Sequence, residues 1–285
     1  MKVLSLFDGI SCGQLALNNI GIDVEEYYAS EIDKNAISIT QFNFPNTIQL
    51  GDVNKWKEWD IDWSSIDLLI GGSPCQNLSN AGNNMGLAGD KSSLFYRYVE
   101  ILNHIKSVNP NVKFLLENVK MKKEWEQIIS NELGVKPILI NSALVSAQNR
   151  ERLYWCNWDV TQPKDEKLVL KDIVREEDNN SYFLSYQHWQ GFLKSYKWKW
   201  CDLDGKSKTL LASYYKQPPH SPYIKCDNSP SGFRMLSPNE CELLMTFPLN
   251  YTKMGEKEMS KTARYKALGN SWTCKIIEHI FKGLI

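Results

Sequence analysis

The chain has 285 residues, 42% of them hydrophobic, and 33 Lys plus Arg against 33 Asp plus Glu, so its formal net charge is zero. That length can bury one large core, or a core domain plus a smaller lobe. Seven cysteines, at 12, 75, 156, 201, 226, 241 and 274, form an odd set with no C-x-x-C pair, which argues against a disulfide framework and against a zinc site. The opening Met1 to Gly9 is apolar too briefly for a secretory signal, and no run approaches a membrane span. A reducing, cytoplasmic setting with no bound metal is therefore expected.

In chain order, Lys2 to Phe7 reads as a strand and Asp8-Gly9-Ile10-Ser11-Cys12-Gly13 as a turn. Leu15, Ala16, Leu17 and Ile20 follow at helical spacing, and Gly21 ends that helix. Val24 to Ser30 predicts a second strand running into Glu31, and Ala36 to Phe42 a short helix stopped by Pro45. Ile48 to Leu50 is a third strand, leading to Gly51-Asp52-Val53. The apolar run 66–70 predicts a buried strand that ends in Gly71-Gly72-Ser73-Pro74-Cys75. The polar, small-residue stretch after Cys75 suits a flap that closes over a substrate. A capped helix from Ser92 or Ser93 carries Leu94, Phe95, Tyr98, Ile101, Leu102 and Ile105. Lys113 to Leu116 predicts a strand exiting at Glu117, Trp125 to Leu133 a helix, and Pro137 to Asn141 and Arg152 to Cys156 two more strands.

Strand and helix alternate to about residue 156, the pattern of a doubly wound, mostly parallel, Rossmann-like α/β sheet. Residues 157–232 break the rhythm, with shorter apolar runs and five of the eleven prolines, and read as a smaller, β-rich lobe. From Arg234 order returns: Ser237-Pro238-Asn239-Glu240 opens a helix, and Trp272 to Leu284 is again helical in spacing. The domain reading is 1–156 plus 234–285 as one domain and 157–233 as a second.

Charge is unevenly spread. Residues 1–75 carry a balance of −7, and residues 186–225 a balance of +5. The basic stretch interleaves Lys197, Lys199, Lys206 and Lys208 with aromatics such as Trp198, Trp200, Tyr214, Tyr215 and Tyr223, a mixture that suits phosphates and bases. A solvated face over a local aromatic core is the plainer reading of any single residue there.

Several constellations carry chemistry. Cys75 lies just past a strand end, where open α/β sheets place reactive groups, although a lone strand-end cysteine is usually a small buried hydrophobe. The Gly9 and Gly13 turn lets backbone N–H groups approach a ligand; alone, it is an ordinary strand-to-helix turn. Glu31 can accept ribose hydroxyls and Asp52, beside Val53, an adenine amino group. Each could be a solvated acid; all three at one sheet edge favour a nucleoside pocket. Glu117, emerging from an apolar strand, suits proton donation. Alternation along an extended segment puts Arg150 and Arg152 on one face, where two guanidinium groups clamp a carbonyl and a phosphate. Surface ion pairing with Glu151 is the plain alternative.

Taken together, these motifs resemble the cytosine-5 DNA methyltransferases, in family order and over nearly the whole chain. Phe7-Asp8-Gly9-Ile10 to Gly13 is similar to the cofactor turn, Gly51-Asp52-Val53 to the adenine-side motif, Gly72-Ser73-Pro74-Cys75-Gln76 to the Pro-Cys nucleophile loop and Glu117-Asn118-Val119 to the Glu-Asn-Val motif. Gln148, Arg150 and Arg152 match Gln-x-Arg-x-Arg; Arg234 to Glu240 with Phe247-Pro248 is similar to the helix supporting the recognition domain; Leu268-Gly269-Asn270-Ser271-Trp272 is similar to the closing Gly-Asn motif. Ser11-Cys12, Ser73 and Trp272 depart from the commonest pattern and resemble the vertebrate de novo branch.

The resemblance implies methyl transfer from S-adenosylmethionine to carbon 5 of a flipped-out cytosine in double-stranded DNA. It makes Cys75 the nucleophile, gives Glu117 the ring nitrogen N3 and exocyclic amine, gives Arg152 the carbonyl O2, and sets Arg150 to brace the loop or a phosphate. Cofactor contacts would come from Phe7, Asp8, Gly9, Ile10, Cys12, Gly13, Glu31, Asp52, Val53, Pro74, Asn270, Ser271 and Trp272. Residues 157–233 would be the DNA target-recognition lobe. With the first motif beginning at residue 2, a stand-alone bacterial or phage enzyme is expected, a monomer in the cytoplasm of the cell or infected host, either an orphan or paired with a cognate restriction endonuclease acting on the same site. A transfer-RNA cytosine-5 methyltransferase and an inactive binding relative are the alternatives. The first would carry a Cys-Phe-Thr triplet that this chain lacks.

Overall fold

The computed structural model describes residues 1–73, 93–175, 182–184, 190, 199–255 and 258–284. Internal contacts divide the chain into two compact units: Met1–Ile140 with Glu151–Gln162 and Ile277–Ile285, and Asn141–Arg150 with Pro163–Ile276.

The first unit is built on a mixed, mostly parallel sheet. Its strands are β1 (Lys2–Leu6), β2 (Glu26–Ser30), β3 (Ile48–Gln49), β4 (Leu68–Gly72), β5 (Lys113–Val119), β6 (Ile138–Asn141) and β7 (Glu151–Cys156), in the order β3-β2-β1-β4-β5-β7-β6. β1 pairs in parallel with both β2 and β4, β4 with β5, and β5 antiparallel with β7. The chain steps outward from β1 to β3, then returns to β4 on the opposite side of β1. The strand order therefore reverses between β1 and β4, and a crevice outside their carboxyl ends is where such sheets bind ligands.

Alternation sets the two faces. Leu4 and Leu6 of β1, Tyr28 of β2, Leu69 of β4 and Phe114 and Leu116 of β5 pack in one core. Helices α3 (Ser93–Val108) and α4 (Lys123–Leu133) complete it with Phe95, Tyr98, Leu102, Ile129 and Leu133. Fully burying each such side chain contributes about 1.5–3 kcal/mol. Val3 and Tyr27, in register with each other, take the other face. Gly71 eases a close approach near the end of β4: a Cβ there would stand 3.1 Å from both the Leu6 carbonyl oxygen and the Tyr98 ring. Helices α1 (Cys12–Asn19) and α2 (Lys34–Asn43) follow β1 and β2, the latter capped by Asp33 through the Asn35 N–H.

Most expected elements are present with shifted ends. β2 starts at Glu26 rather than Val24, and β5 continues through Val119. Glu117 is thus inside a strand, because the antiparallel partner β7 keeps that backbone paired (Glu117 with Tyr154, Val119 with Arg152).

The second unit corrects the expectation of a β-rich lobe. Its described residues hold one two-stranded antiparallel sheet, β8 (Tyr223–Lys225) with β9 (Phe233–Met235), among bends and short 3-10 turns. Pro218, Pro219, Pro222 and Pro230 offer no N–H to a ladder. Two helices follow, α5 (Pro238–Leu244) and α6 (Lys261–Asn270); α7 (Cys274–Phe281) closes the fold. Internal contacts place 234–276 with 163–233, whereas the sequence reading joins 234–285 to the first 156 residues. The physical cause is a set of buried ties. Arg234 grips both carboxylate oxygens of Glu240 at 2.7 and 2.8 Å and donates to the Arg175 carbonyl. The Leu236 N–H donates to the Tyr214 hydroxyl, and the Tyr265 hydroxyl donates to the Leu236 carbonyl.

Candidate active site

Both the nucleophile candidate Cys75 and Pro74 lie outside the described residues, as does the flap after them. The chain is described up to Ser73, which is buried and held from β5. The Asn118 side-chain amide donates to the Ser73 hydroxyl at 3.1 Å and to its carbonyl at 3.4 Å. Asn118 turns its own Oδ1 to the Val119 N–H at 2.8 Å. Both ends of this amide are therefore engaged, and the residue leading into Pro74-Cys75 is tied to the strand that bears Glu117.

Glu117 and Arg152 meet directly. Arg152 stands opposite Val119 across the β5–β7 pair, two positions from Glu117 on the same face. Arg152 Nε lies 2.9 Å from Glu117 Oε1, with both side chains largely buried. One Arg152 Nη donates to the Glu151 carbonyl at 2.8 Å. A carboxylate and a guanidinium at one spot can engage neighbouring edges of a planar heterocycle, one accepting and the other donating.

The described bonds of Arg150 lie with other partners. β7 begins at Glu151, so the assumed alternation stops short of it. Its guanidinium is buried and donates to the carbonyls of Leu210 (3.0 Å), Gly269 (3.2 Å) and Ser271 (2.8 Å), all in the second unit. Gln148 is equally committed: its Oε1 accepts the Leu210 N–H at 2.7 Å. Gln148 and Arg150 together hold both main-chain groups of Leu210. Of the two roles expected for Arg150, these bonds favour bracing the chain over gripping a phosphate.

The β1–α1 turn is the cofactor candidate. Gly9 adopts a positive φ of 62°, and a Cβ there would meet nothing within 4 Å, so open space faces the turn. The Gly9 N–H donates to Glu31 Oε2 at 2.8 Å, while Glu31 Oε1 accepts the N–H groups of Ile32 and Asp33. Three of the roughly four acceptor positions of that carboxylate are thereby used, leaving room for one hydroxyl rather than the two expected. Asp52 caps a 3-10 turn, its Oδ1 accepting from Asn54, and Val53 is buried beside it. Ile10 and Cys12 are buried and Phe7 is half-buried. Open backbone, two carboxylates and apolar neighbours are a donor set suited to an adenosyl group with a sulfonium charge.

Asp8 differs from the expectation of a cofactor contact: its carboxylate turns inward, accepting from the Tyr27 hydroxyl at 2.9 Å and from the Ser11 hydroxyl. Desolvation pushes its pKa above the usual aspartate value. Tyr27 had no motif to betray it; the only signal was its place on the strand neighbouring the turn.

In the second unit, Asn270 ends α6 and is exposed, while Ser271 is its C-cap and Trp272 is half-buried. Gly269 is forced by close packing, since a Cβ would lie 2.3 Å from the Ala212 nitrogen. The basic, aromatic stretch is only partly a surface. Tyr214 and Tyr223 are fully buried. Lys206 donates to the carbonyls of Ala143 and Ser146, and Lys208 to that of Lys199, so both ammonium groups are drawn toward the main chain. Burial lowers the pKa of Lys208. Lys199 is exposed, and Lys197 and Trp198 lie outside the described residues. An exposed cluster does exist: Trp200 is 45% exposed, with Lys225 Nζ 4.8 Å from its ring centre and Phe233 at 5.6 Å. Among the described residues no group of three His, Cys, Asp or Glu side chains could hold a metal, and no helix is long and apolar enough to cross a membrane.

The chain is similar to known proteins in sequence and in fold. The chain is 30% identical over its whole length to the type II methyltransferase M1.ScrFI of Lactococcus lactis subsp. cremoris, spanning 78% of that protein. It is 31% identical over 83% of its length to the orphan methyltransferase M.SPRI of Bacillus phage SPR, spanning 55% of that protein. The crystal structure of a Spodoptera frugiperda DNMT2 mutant superposes with a TM-score of 0.76 at 20% identity, covering 99% of both chains, which shows the shared fold. The family model described as C-5 cytosine-specific DNA methylase matches over residues 1–285. With that match, the chain belongs to the C-5 cytosine-specific DNA methylases and is a DNA cytosine-5 methyltransferase.

Proposed function

We propose that the protein methylates carbon 5 of a cytosine extruded from double-stranded DNA, through a covalent adduct with Cys75 and with S-adenosylmethionine as methyl donor. The observation that carries this reading is the Glu117–Arg152 pair, set on the strand whose Asn118 anchors the residue leading into Pro74-Cys75. In a duplex the target ring is walled in by stacking, so it is flipped out at a cost of about a few kcal/mol. Glu117 engages N3 and the exocyclic amine, and Arg152 the O2 carbonyl, which offsets charge as the Cys75 thiolate adds to carbon 6. S-adenosylmethionine, when bound, supplies the methyl group that the enamine-like carbon 5 takes. Loss of the carbon 5 proton then restores the ring double bond and releases the sulfur of Cys75.

The donor would be held by the Gly9 turn, Glu31, Asp52 and Val53; Pro74, Asn270, Ser271 and Trp272 stay proposed contacts on the resemblance alone. Residues 157–233 remain the proposed recognition lobe, with Trp200 and Lys225 as its exposed described cluster. The bacterial and phage relatives favour the cytoplasm of a bacterium or infected host, and the type II relative favours a cognate endonuclease at the same site. Bisulfite sequencing of DNA from cells expressing the protein tests the reading. The expected result is protected cytosines in one sequence context. A pattern equal to the vector control, with methyl transfer to transfer RNA instead, would overturn it.

A further inference from the structure

Three of five positions in the β1–α1 turn hold left-handed backbone: Phe7 (φ 57°), Gly9 (62°) and Ser11 (54°). For Phe7 and Ser11 this costs about 1–2 kcal/mol each. Such residues persist only where their surroundings over-determine them.

Here the surroundings converge on Asp8. Its main-chain N–H donates to the Ser30 carbonyl at 3.2 Å, and its carbonyl accepts the Ser11 N–H at 3.2 Å. Its carboxylate takes the Ser11 hydroxyl on one oxygen and the Tyr27 hydroxyl on the other, and the Ser5 hydroxyl also bonds to it. Tyr27 is only 2% exposed and pairs with Val3 in the β1–β2 register. Its phenol is pushed well above its ordinary pKa by burial, so it stays a donor at any working pH. Glu31 and Cys12 are the other titratable groups acting on this pair.

We propose that Tyr27 is a positioning residue for the methyl donor: its buried hydroxyl, acting through Asp8, holds the left-handed turn against which the adenosyl group binds. This rests on the reading of that turn as the cofactor site. Tyr27 touches no reacting atom, so its loss should weaken cofactor binding while leaving the chemical step intact.

The test is calorimetric titration with S-adenosylhomocysteine, together with steady-state kinetics, on the full chain. Tyr27→Phe is expected to raise the cofactor Kd and KM about tenfold, with kcat at saturating cofactor within about twofold. Asp8→Ala is expected to raise Kd at least as much. The double variant should bind no more weakly than Asp8→Ala alone, because Tyr27 acts through Asp8. An unchanged Kd in folded Tyr27→Phe, or effects that add in the double variant, would overturn the inference. Should Tyr27→Phe fail to fold, Ser11→Ala, which removes the other hydroxyl across the turn, carries the same expectation, and an unchanged Kd there is equally fatal. Wild-type protein that does not bind S-adenosylhomocysteine would overturn the cofactor reading itself.

Discussion

Glu117 can be read as a functional carboxylate because an apolar strand delivers it to a sheet edge. Its partner cannot: the contact with Arg152 spans 35 positions and arises only when β7 turns back antiparallel on β5. Glu117→Gln keeps the shape but weakens the hold on N3; methyl transfer is expected to fall about 10²–10⁴-fold, measured by tritiated methyl incorporation, in a protein that still folds cooperatively although the loss of the Arg152 ion pair lowers its melting temperature. Cys75→Ala is expected to abolish transfer while keeping S-adenosylhomocysteine binding; residual turnover would exclude the covalent route. Asp8 sets a pH dependence. Its folded pKa is raised, so the fold favours the protonated acid, and stability declines as pH climbs from the ordinary aspartate value, about 4, through the raised one. Asp8→Asn carries no such charge. Its melting temperature relative to wild type should therefore rise over that interval and then level off, which thermal denaturation across pH reads directly.

At the scale of elements, the motif spacing located most strands and helices, yet the use made of two motifs was hidden. In sequence Gln148 is only part of the Gln-x-Arg-x-Arg match, and Arg150 is expected to brace the loop or a phosphate. In the fold they clamp Leu210 and the end of α6, because a buried carbonyl without a donor is costly. Gly269 stands in the closing Gly-Asn motif, and the neighbours that crowd it are Leu211 and Ala212. Gly269→Ala is expected to destabilise the protein by about 1–3 kcal/mol, as overpacking does, visible in urea denaturation as a lower midpoint. A variant as stable as wild type would mean the loop at 211–212 yields freely. Among the described residues the lobe holds little β structure for a related reason: short apolar runs rich in proline can be packed by side-chain ties such as Arg234–Glu240, with little ladder pairing.

For the whole molecule, zero net charge hid a local imbalance, and local imbalance in turn overstated the free cations. Lys206 and Lys208 bond to main-chain carbonyls, whereas Lys225 is exposed over Trp200. In DNA binding measured across salt concentration, Lys225→Gln should therefore reduce the slope of log K against log salt by about one. Lys206→Gln should leave that slope unchanged. Equal slopes for both variants would remove Lys225 from the DNA face.

The sequence by itself determined the family and the sheet type and supplied the candidate reacting groups, because these depend on period-two and helical spacing and on motifs a few residues long. The tertiary structure decided which of those groups are spent internally and which are left to meet a substrate. Asp8, Gln148, Arg150 and Lys206 each find their partners across stretches of chain that no local pattern links, and burial makes those partners obligatory.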